Sequence, residues 1–298
     1  MTDWYQPGRR FNAVELLRQV RRHDLVFGWF ASWHTLAPVL LARRMGRAAV
    51  VVIGGYDTAN VPAAAYGSQR GGLVRVVARL VISQATHLVT NSDAARQEAI
   101  ANAGATARKI TVLYHGVEPL PAGPDGQREC LALTVGGIWR ENLLRKGLLP
   151  FVQAAALCPD VRFIVAGRAY DDSLAVLQRA AGPNVEFTGF LPDADLASLY
   201  ARASVYVQPS LHEGFGLSVA EAMSAGCVPV VTRAGALPEV VGDCGIYCES
   251  NAPAAVAAAI RKGLAARPDI RRRARQRIID DFPLERRRQG LVRLLAAL

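Results

Sequence analysis

The sequence predicts an α/β protein of two successive parallel-sheet domains. Short runs rich in Val, Ile and Ala alternate with helical patterns almost throughout, which is how strands joined by crossover helices look in sequence. One stretch, residues 117–127 (VEPLPAGPDGQ), is rich in Pro and Gly, lacks an apolar period and divides the alternation in two. A third observation is that polar, glycine-rich segments follow several of the strands, where open parallel sheets bind ligands.

In the first half the pattern predicts strands at 25–31, 48–54, 87–90 and 109–114. Helices at 13–22, 34–45, 73–83 and 93–103 separate them. After the interruption, strands are predicted at 131–137, 162–167, 185–188, 204–208, 228–232 and 245–247. The intervening helices are 148–157, 173–180, 194–203 and 217–225. No repeat at the sequence level links the halves. The expected organisation is a first domain at 1–118, a linker at 119–128 and a second domain at 129–283. Both domains read as Rossmann-like and face each other through their strand ends. Residues 284–298 are read as a terminal helix returning to the first domain. The tail from Pro253 is helical and Arg-rich. Arg271, Arg272, Arg273, Arg275 and Arg277 surround the helix rather than line one face, so they read as solvated surface. No aromatic residues interleave with them, which disfavours a nucleic-acid partner.

Composition narrows the class. The 298 residues are 51% hydrophobic and 20% charged, which fits a globular chain rather than a disordered one. No apolar run approaches the length of a membrane span, and MTDWYQPGRR has no secretory apolar core, so a cytoplasmic location is expected. Cys130, Cys158, Cys227, Cys244 and Cys248 form no CxxC pair, and no second Cys/His pair completes a zinc site. They read as small buried hydrophobes, with no metal and no cofactor expected. Residues 1–124 carry 14 basic and 7 acidic side chains, against 21 and 18 in residues 125–298. That basic first half points to an anionic partner. Arg75 and Arg79, beside Leu73, Val76, Val77 and Leu80, read as one face of a helix that could rest on an anionic membrane surface.

The most informative segment is Glu213-Gly214-Phe215-Gly216-Leu217, with Glu221 further along the helix it opens. Gly214 and Gly216 permit close backbone approach, and the unbonded first amides of that helix suit a diphosphate. Glu221, about one turn in, can accept bonds from vicinal ribose hydroxyls, because an ionised carboxylate only accepts. Glu213, ahead of the helix, would face the group beyond the phosphates. Ser210-x-x-Glu213 also matches a capping box, although two glycines after Glu213 make a poor first turn. Arg140 and Lys146 stand on another loop of the same domain, where fixed cations would stabilise a leaving diphosphate. Neighbouring Arg145 reads as a surface charge. In the first half, Gly54-Gly55-Tyr56-Asp57 and His115-Gly116 follow strands. Asp193-Ala194-Asp195 imitates a metal motif but opens a helix, so it reads as a cap.

The stretch 213–217, then Glu221-Ala222-Met223, 226–231 and 235–241, resembles the E-x7-E region of retaining glycosyltransferases of family 4. Arg140 and Lys146-Gly147 stand where that family has its phosphate-binding Arg and Lys, and residues 184–189 and 194–206 follow its course. The resemblance covers about residues 130–282 and is fainter before them. It implies two facing Rossmann-like domains of the GT-B type, transfer with retention of configuration, and no obligatory metal. It implies Glu213, Arg140 and Lys146 in catalysis. Glu221, Gly214, Phe215, Gly216, Leu217 and Gly189 would hold the donor, a UDP- or GDP-linked sugar. The acceptor would be a cell-envelope glycan or lipid-linked acceptor, with Gly54, Gly55, Tyr56 and Asp57 as acceptor-side candidates. The usual opening strand and glycine loop are missing, so a small first domain is expected, with an uncovered sheet edge that could pair in a homodimer. Alternative functions are a nucleotide-sugar-binding protein or partner subunit with lost or reduced catalysis, or an epimerase or hydrolase on the same fold.

Overall fold

The structure is a computed structural model that describes residues 12–123 and 128–298; Trp4 and residues 124–127 of the expected linker lie outside the described residues. The described chain forms two units by its internal contacts. The first comprises residues 12–60, 67–113 and 296–298; the second comprises 61–66, 114–123 and 128–295.

The first unit runs α1 (Ala13–Arg22), β1 (Leu25–Trp29), α2 (Trp33–Arg44), β2 (Ala48–Ile53), α3 (Gly72–Gln84), β3 (His87–Thr90), α4 (Asp93–Ala103) and β4 (Ile110–Val112). Side-chain caps start three of these helices. Asn12 Oδ1 accepts from the Glu15 amide at 3.0 Å, Ser32 and Thr35 form a capping box, and Ser92 Oγ accepts from the Ala95 amide at 3.0 Å. The four strands are parallel in the order β1-β2-β3-β4. Successive right-handed crossovers that advance in one direction put their helices on one face. Accordingly Ala49, Val51 and Ile53 of β2 share one core with Leu16 and Val20 of α1, Val39 of α2, Val81 of α3 and Ala99 of α4.

α3 corrects one expectation. Val77, Ala78, Val81 and Ile82 turn inward, while Leu73, Val76 and Leu80 remain exposed. Arg79 does not join an outward basic face. Its guanidinium donates to Gln69 Oε1 at 3.2 Å and to the Asn102 carbonyl at 2.6 Å, because the helix turns it toward carbonyls that need a donor.

In the second unit β5 (Glu129–Val135), α5 (Arg140–Arg145), α6 (Leu148–Ala154), β6 (Arg162–Ala166), α7 (Ser173–Ala180), β7 (Val185–Gly189), α8 (Asp193–Arg202) and β8 (Ala203–Gln208) come first. They are followed by α9 (Leu217–Ser224), β9 (Val228–Val231), α10 (Leu237–Val241), β10 (Ile246–Tyr247), α11 (Pro253–Leu264), α12 (Pro268–Asp281) and α13 (Leu284–Ala296). The parallel sheet has the order β10-β9-β8-β5-β6-β7. Strand alternation sends side chains to two cores. Leu131, Leu133 and Tyr206 meet Leu199 of α8, Val219 of α9 and Ile278 of α12. Ala132, Val205 and Val207 meet Phe151 of α6, Leu177 of α7 and Ile260 of α11.

The expected linker is seated on this unit where it is described. Val117 is buried, Leu120 packs on the core, and the Leu120 amide donates to Ser224 Oγ at 3.1 Å. The tail arginines are likewise not all solvated. Arg271 donates to the Ser204 carbonyl at 2.8 Å, Arg275 to those of Leu120 and Ser224, and Arg277 to Val240 at 2.9 Å. A buried carbonyl without a helix or sheet partner needs a donor, and these guanidiniums supply it. Asp193 is the first residue of α8 rather than its cap, which is Pro192. Of the cysteines, Cys130 is exposed and the other four are buried.

Candidate active site

The second sheet reverses its winding beside β5. The chain leaves β5 toward β6 and β7, then returns to β5's other side at β8 and continues to β9 and β10. Loops at such a switch point part and leave a crevice beyond the strand ends. The segments after β5 and β8 carry Arg140, Lys146 and Glu213, and backbone contacts draw them together. The Leu211 amide donates to the Arg145 carbonyl at 2.8 Å. Gly147, at φ +75°, packs so closely on Pro209 that a Cβ would run into its carbonyl.

Sequence reasoning places Arg140 and Lys146 on a loop, but the structure makes Arg140 the first residue of α5 and Lys146 its C-cap. Asn142 builds that short helix from below. Its Nδ2 donates to the Gly137 carbonyl at 2.8 Å, and its Oδ1 accepts from two nitrogens of Arg145 at 3.0 and 2.6 Å. Arg145 is therefore no surface charge: only 8% of it is exposed, and its guanidinium lies 4.7 Å from the centre of the Tyr66 ring. Arg140 opens the helix, is exposed, and gives its amide to Asp171 Oδ2 at 2.9 Å. Hydrogen bonds from Ser173 and the Arg140 amide hold Asp171 below the usual carboxylate range. Lys146 follows the helix at its other end, about 9 Å along the axis from Arg140 at 1.5 Å per residue.

Lys146 does meet Glu213. Its Nζ lies 3.9 Å from Glu213 Oε2, with the two side chains 18% and 12% exposed. The same Oε2 accepts from Gln208 Nε2 at 2.6 Å. Gln208 is oriented by its other end, where Oε1 accepts from Tyr206 and Ser218 hydroxyls, each at 3.1 Å. Two donors on the amide oxygen leave its nitrogen to point at the glutamate. The capping-box alternative fails, because α9 begins only at Leu217 with Gly216 as its N-cap, and Ser210 Oγ accepts from Gln208 at 3.2 Å.

The first bond within α9 runs from the Ala220 amide to the Gly216 carbonyl, so the amides of residues 217–219 lie ahead of the helix's own bonding. Phe215 is buried, edge-on to the His115 ring at 5.3 Å and beside Tyr114 and Phe282. Glu221 stands in the second turn of α9, where its Oε2 accepts from the Tyr200 hydroxyl at 3.1 Å. Burial raises the Glu221 carboxyl above the ordinary value, against the Tyr200 bond and the Lys146 charge, with Asp193 adding to the rise. Leu217 is the exposed first residue of α9. Gly189 ends β7, and its carbonyl accepts from the Gly167 amide at 2.9 Å.

In the first unit, Tyr56 is exposed but Asp57 is not. The Asp57 carboxylate accepts from the amides of Ala31 and Gly54, both at 2.9 Å, and so braces the ends of β1 and β2. Burial pushes its carboxyl upward against those bonds. Gly55 contributes its carbonyl to the Ala59 amide at 3.0 Å. Sequence reasoning missed Gln208, Tyr200 and Tyr206. The available signal was a buried amide at the end of an otherwise apolar strand, since an unpaired Gln there is costly. Among the described residues no cluster of three or more His, Cys, Asp or Glu could hold a metal ion.

Comparisons with known proteins bear on the family and the fold. Residues 129–266 match the family model described as "Glycosyl transferases group 1", and residues 2–119 match "Glycosyltransferase Family 4". The chain is 33% identical to O-antigen chain mannosyltransferase B of Escherichia coli over 205 residues, 61% of this chain and 52% of that protein. It is 36% identical over 150 residues to a GDP-mannose-dependent alpha-(1-6)-phosphatidylinositol dimannoside mannosyltransferase of Mycobacterium tuberculosis, 48% of this chain and 39% of that one. The chain thus spans about half the length, or less, of these relatives. In fold it is similar to Anabaena HepE, solved with UDP and glucose, at a TM-score of 0.80 and 20% identity. That likeness covers 96% of this chain and 81% of the other. Sucrose-phosphate synthase of Thermosynechococcus elongatus gives a TM-score of 0.73 at 19% identity, over 98% and 82%. With parallel sheets of the GT-B type and a glycosyltransferase family model matched in each half, the chain is a family 4-like glycosyltransferase.

Proposed function

We propose that the protein transfers a hexose from a UDP- or GDP-linked donor to a hydroxyl of a cell-envelope glycan or lipid-linked acceptor, retaining configuration and needing no metal. The observation that carries this is the pairing of Lys146 with Glu213 at the switch point, with Glu221 in the second turn of α9. In this reading the Glu221 carboxylate accepts from the ribose hydroxyls, and the amides of residues 215–217 bind the diphosphate. As the bond between the sugar's C1 and the diphosphate oxygen breaks, negative charge gathers on the phosphate. Lys146, with Arg140 at the far end of α5, stabilises that charge. The acceptor oxygen bonds to C1 on the same face, and its proton passes to the departing phosphate oxygen. Glu213, fixed by Gln208, receives a hydroxyl of the donor sugar. Gly189 lines the nucleotide side, and Gly54, Gly55 and Tyr56 remain the acceptor-side candidates, with Asp57 holding their loop in shape.

GDP-mannose, the donor of the mycobacterial relative, and UDP-glucose, with which Anabaena HepE is solved, are the first donors to test. Proton NMR of the product from an α-linked donor should show an α anomer, formed equally well with excess EDTA. A β anomer, or activity lost to EDTA and restored by a divalent cation, would overturn retention or metal independence respectively.

We also infer weak, reversible contact with anionic lipid through α3. Leu73, Val76 and Leu80 form an exposed apolar stripe beside Arg75, while no described helix is long and apolar enough to cross a membrane. Flotation should recover more protein with anionic than with neutral vesicles, and equal recovery from both would remove this idea.

A further inference from the structure

The segment Val61–Tyr66 belongs by its contacts to the second unit, although the chain on either side of it belongs to the first. It is a tight excursion. The amide of Val61 donates to the Tyr66 carbonyl at 2.9 Å and the amide of Tyr66 returns a bond to Val61 at 3.1 Å. A 3₁₀ turn at Pro62–Ala64 closes the tip, followed by Ala65 at φ +51°. The base is also fastened, since the Gln69 amide donates to the Ala59 carbonyl at 3.1 Å and Ser68 Oγ to the Asp57 carbonyl at 2.8 Å. A side chain presented by such a closed loop has little freedom to drift.

That side chain is Tyr66. The Arg145 guanidinium lies over its ring, 4.7 Å from the centroid, and the His212 ring packs on it at 5.5 Å with a 41° tilt. Arg145 and His212 are the residues immediately before Lys146 and Glu213. Each is well buried, and Arg145 is tied to Asn142 while Leu211 is tied to the Arg145 carbonyl. Tyr66 is thus a wedge gripped by the two segments whose next residues form the Lys146–Glu213 pair.

We propose that Tyr66 is a positioning residue for sugar transfer. Its ring holds Arg145 and His212 in register, so that Lys146 reaches the leaving diphosphate at the distance from Glu213 that transfer requires. This rests on the function proposed above for Lys146 and Glu213. The ring is the working part, because a cation over a π face and ring-on-ring packing need no hydroxyl. Tyr66→Phe should therefore keep turnover within about twofold, while Tyr66→Ala lowers kcat about ten- to hundredfold through misplacement of about an ångström. The Kd for UDP or GDP should change less than about threefold, since nucleotide binding is assigned chiefly to Glu221 and the α9 amides.

The experiment compares wild type, Tyr66→Phe, Tyr66→Ala and Glu213→Ala. It reads kcat and KM with GDP-mannose and UDP-glucose, and amide hydrogen exchange over residues 140–147 and 208–216. Faster exchange in both segments for Tyr66→Ala, restored in Tyr66→Phe, is the result expected. Unchanged exchange in either segment overturns the positioning role whatever the activity does. Equal loss of kcat in Tyr66→Phe and Tyr66→Ala overturns the assignment to the ring. Should Glu213→Ala transfer sugar as wild type does while exchange in Tyr66→Ala still rises, the wedge stands and the reading of the catalytic pair is what fails.

Discussion

His115 stands edge-on to Phe215, in a pocket that also brings the Arg287 charge near it. Burial first, and that like charge second, push its imidazole down to about 4. The ring is therefore neutral at physiological pH, and protonation of the folded protein is resisted. Because the folded value lies below the unfolded one, the unfolded chain takes up the proton first as pH falls. The neutral ring's contribution is complete above about pH 6.5 and is lost progressively toward pH 4, a loss of about 3 kcal/mol at about 1.36 kcal/mol per pKa unit. Urea unfolding of wild type and His115→Phe should thus diverge by about that amount between pH 7 and pH 4, with wild type losing more. Parallel curves would show that His115 titrates normally. Single residues also mark the limits of the sequence. Glu213, Glu221, Lys146 and Arg140 stand out in the sequence because the chemistry proposed for them is tied to a spacing. Arg145 is not, because nothing local reveals that Asn142 and a tyrosine nearly eighty residues earlier will bury its charge.

The element that matters most for the site is the turn from α5 to α6. Gly147 joins them at φ +75° with its Cα against the Pro209 carbonyl, and this close approach sets Lys146 beside Glu213. Gly147→Ala meets both a left-handed backbone and a backbone atom, so it should cost about 1–3 kcal/mol and lower turnover as Lys146 moves. Gly46 provides the control, at φ +65° with open space around it. Gly46→Ala should cost about 1 kcal/mol through its dihedral alone and leave turnover intact. Equal losses of stability and equal activity in the two variants, measured by denaturation and transfer assay, would show that the approach to Pro209 has no consequence. Elements with a clear apolar period were legible: α1, α4, α7 and β3 begin and end where the pattern predicts. Helix α5 was not, because six residues between glycines and charges carry too little apolar period to announce a helix. The tail arginines were misread for a related reason. Their helix has arginines on several sides, and only the packed structure shows which sides face carbonyls that lack donors.

At the scale of the molecule, strand alternation gave two parallel-sheet units, but strand order is non-local and no sequence pattern records it. The return of β8 to β5's free side creates the crevice, and the winding of the first sheet in a single direction is equally silent in the sequence. We propose above all that the switch-point crevice of the second sheet is a nucleoside diphosphate site with Glu221 on the ribose. Calorimetric titration of UDP and GDP into wild type and Glu221→Gln tests it most directly, because it needs neither an acceptor nor turnover. A hydrogen bond to a charged group is worth about 1.5–3 kcal/mol, so the variant should bind the preferred nucleotide roughly ten- to a hundredfold more weakly. A Glu221→Gln protein that binds UDP and GDP as tightly as wild type, or a wild type that binds neither, would contradict the claim.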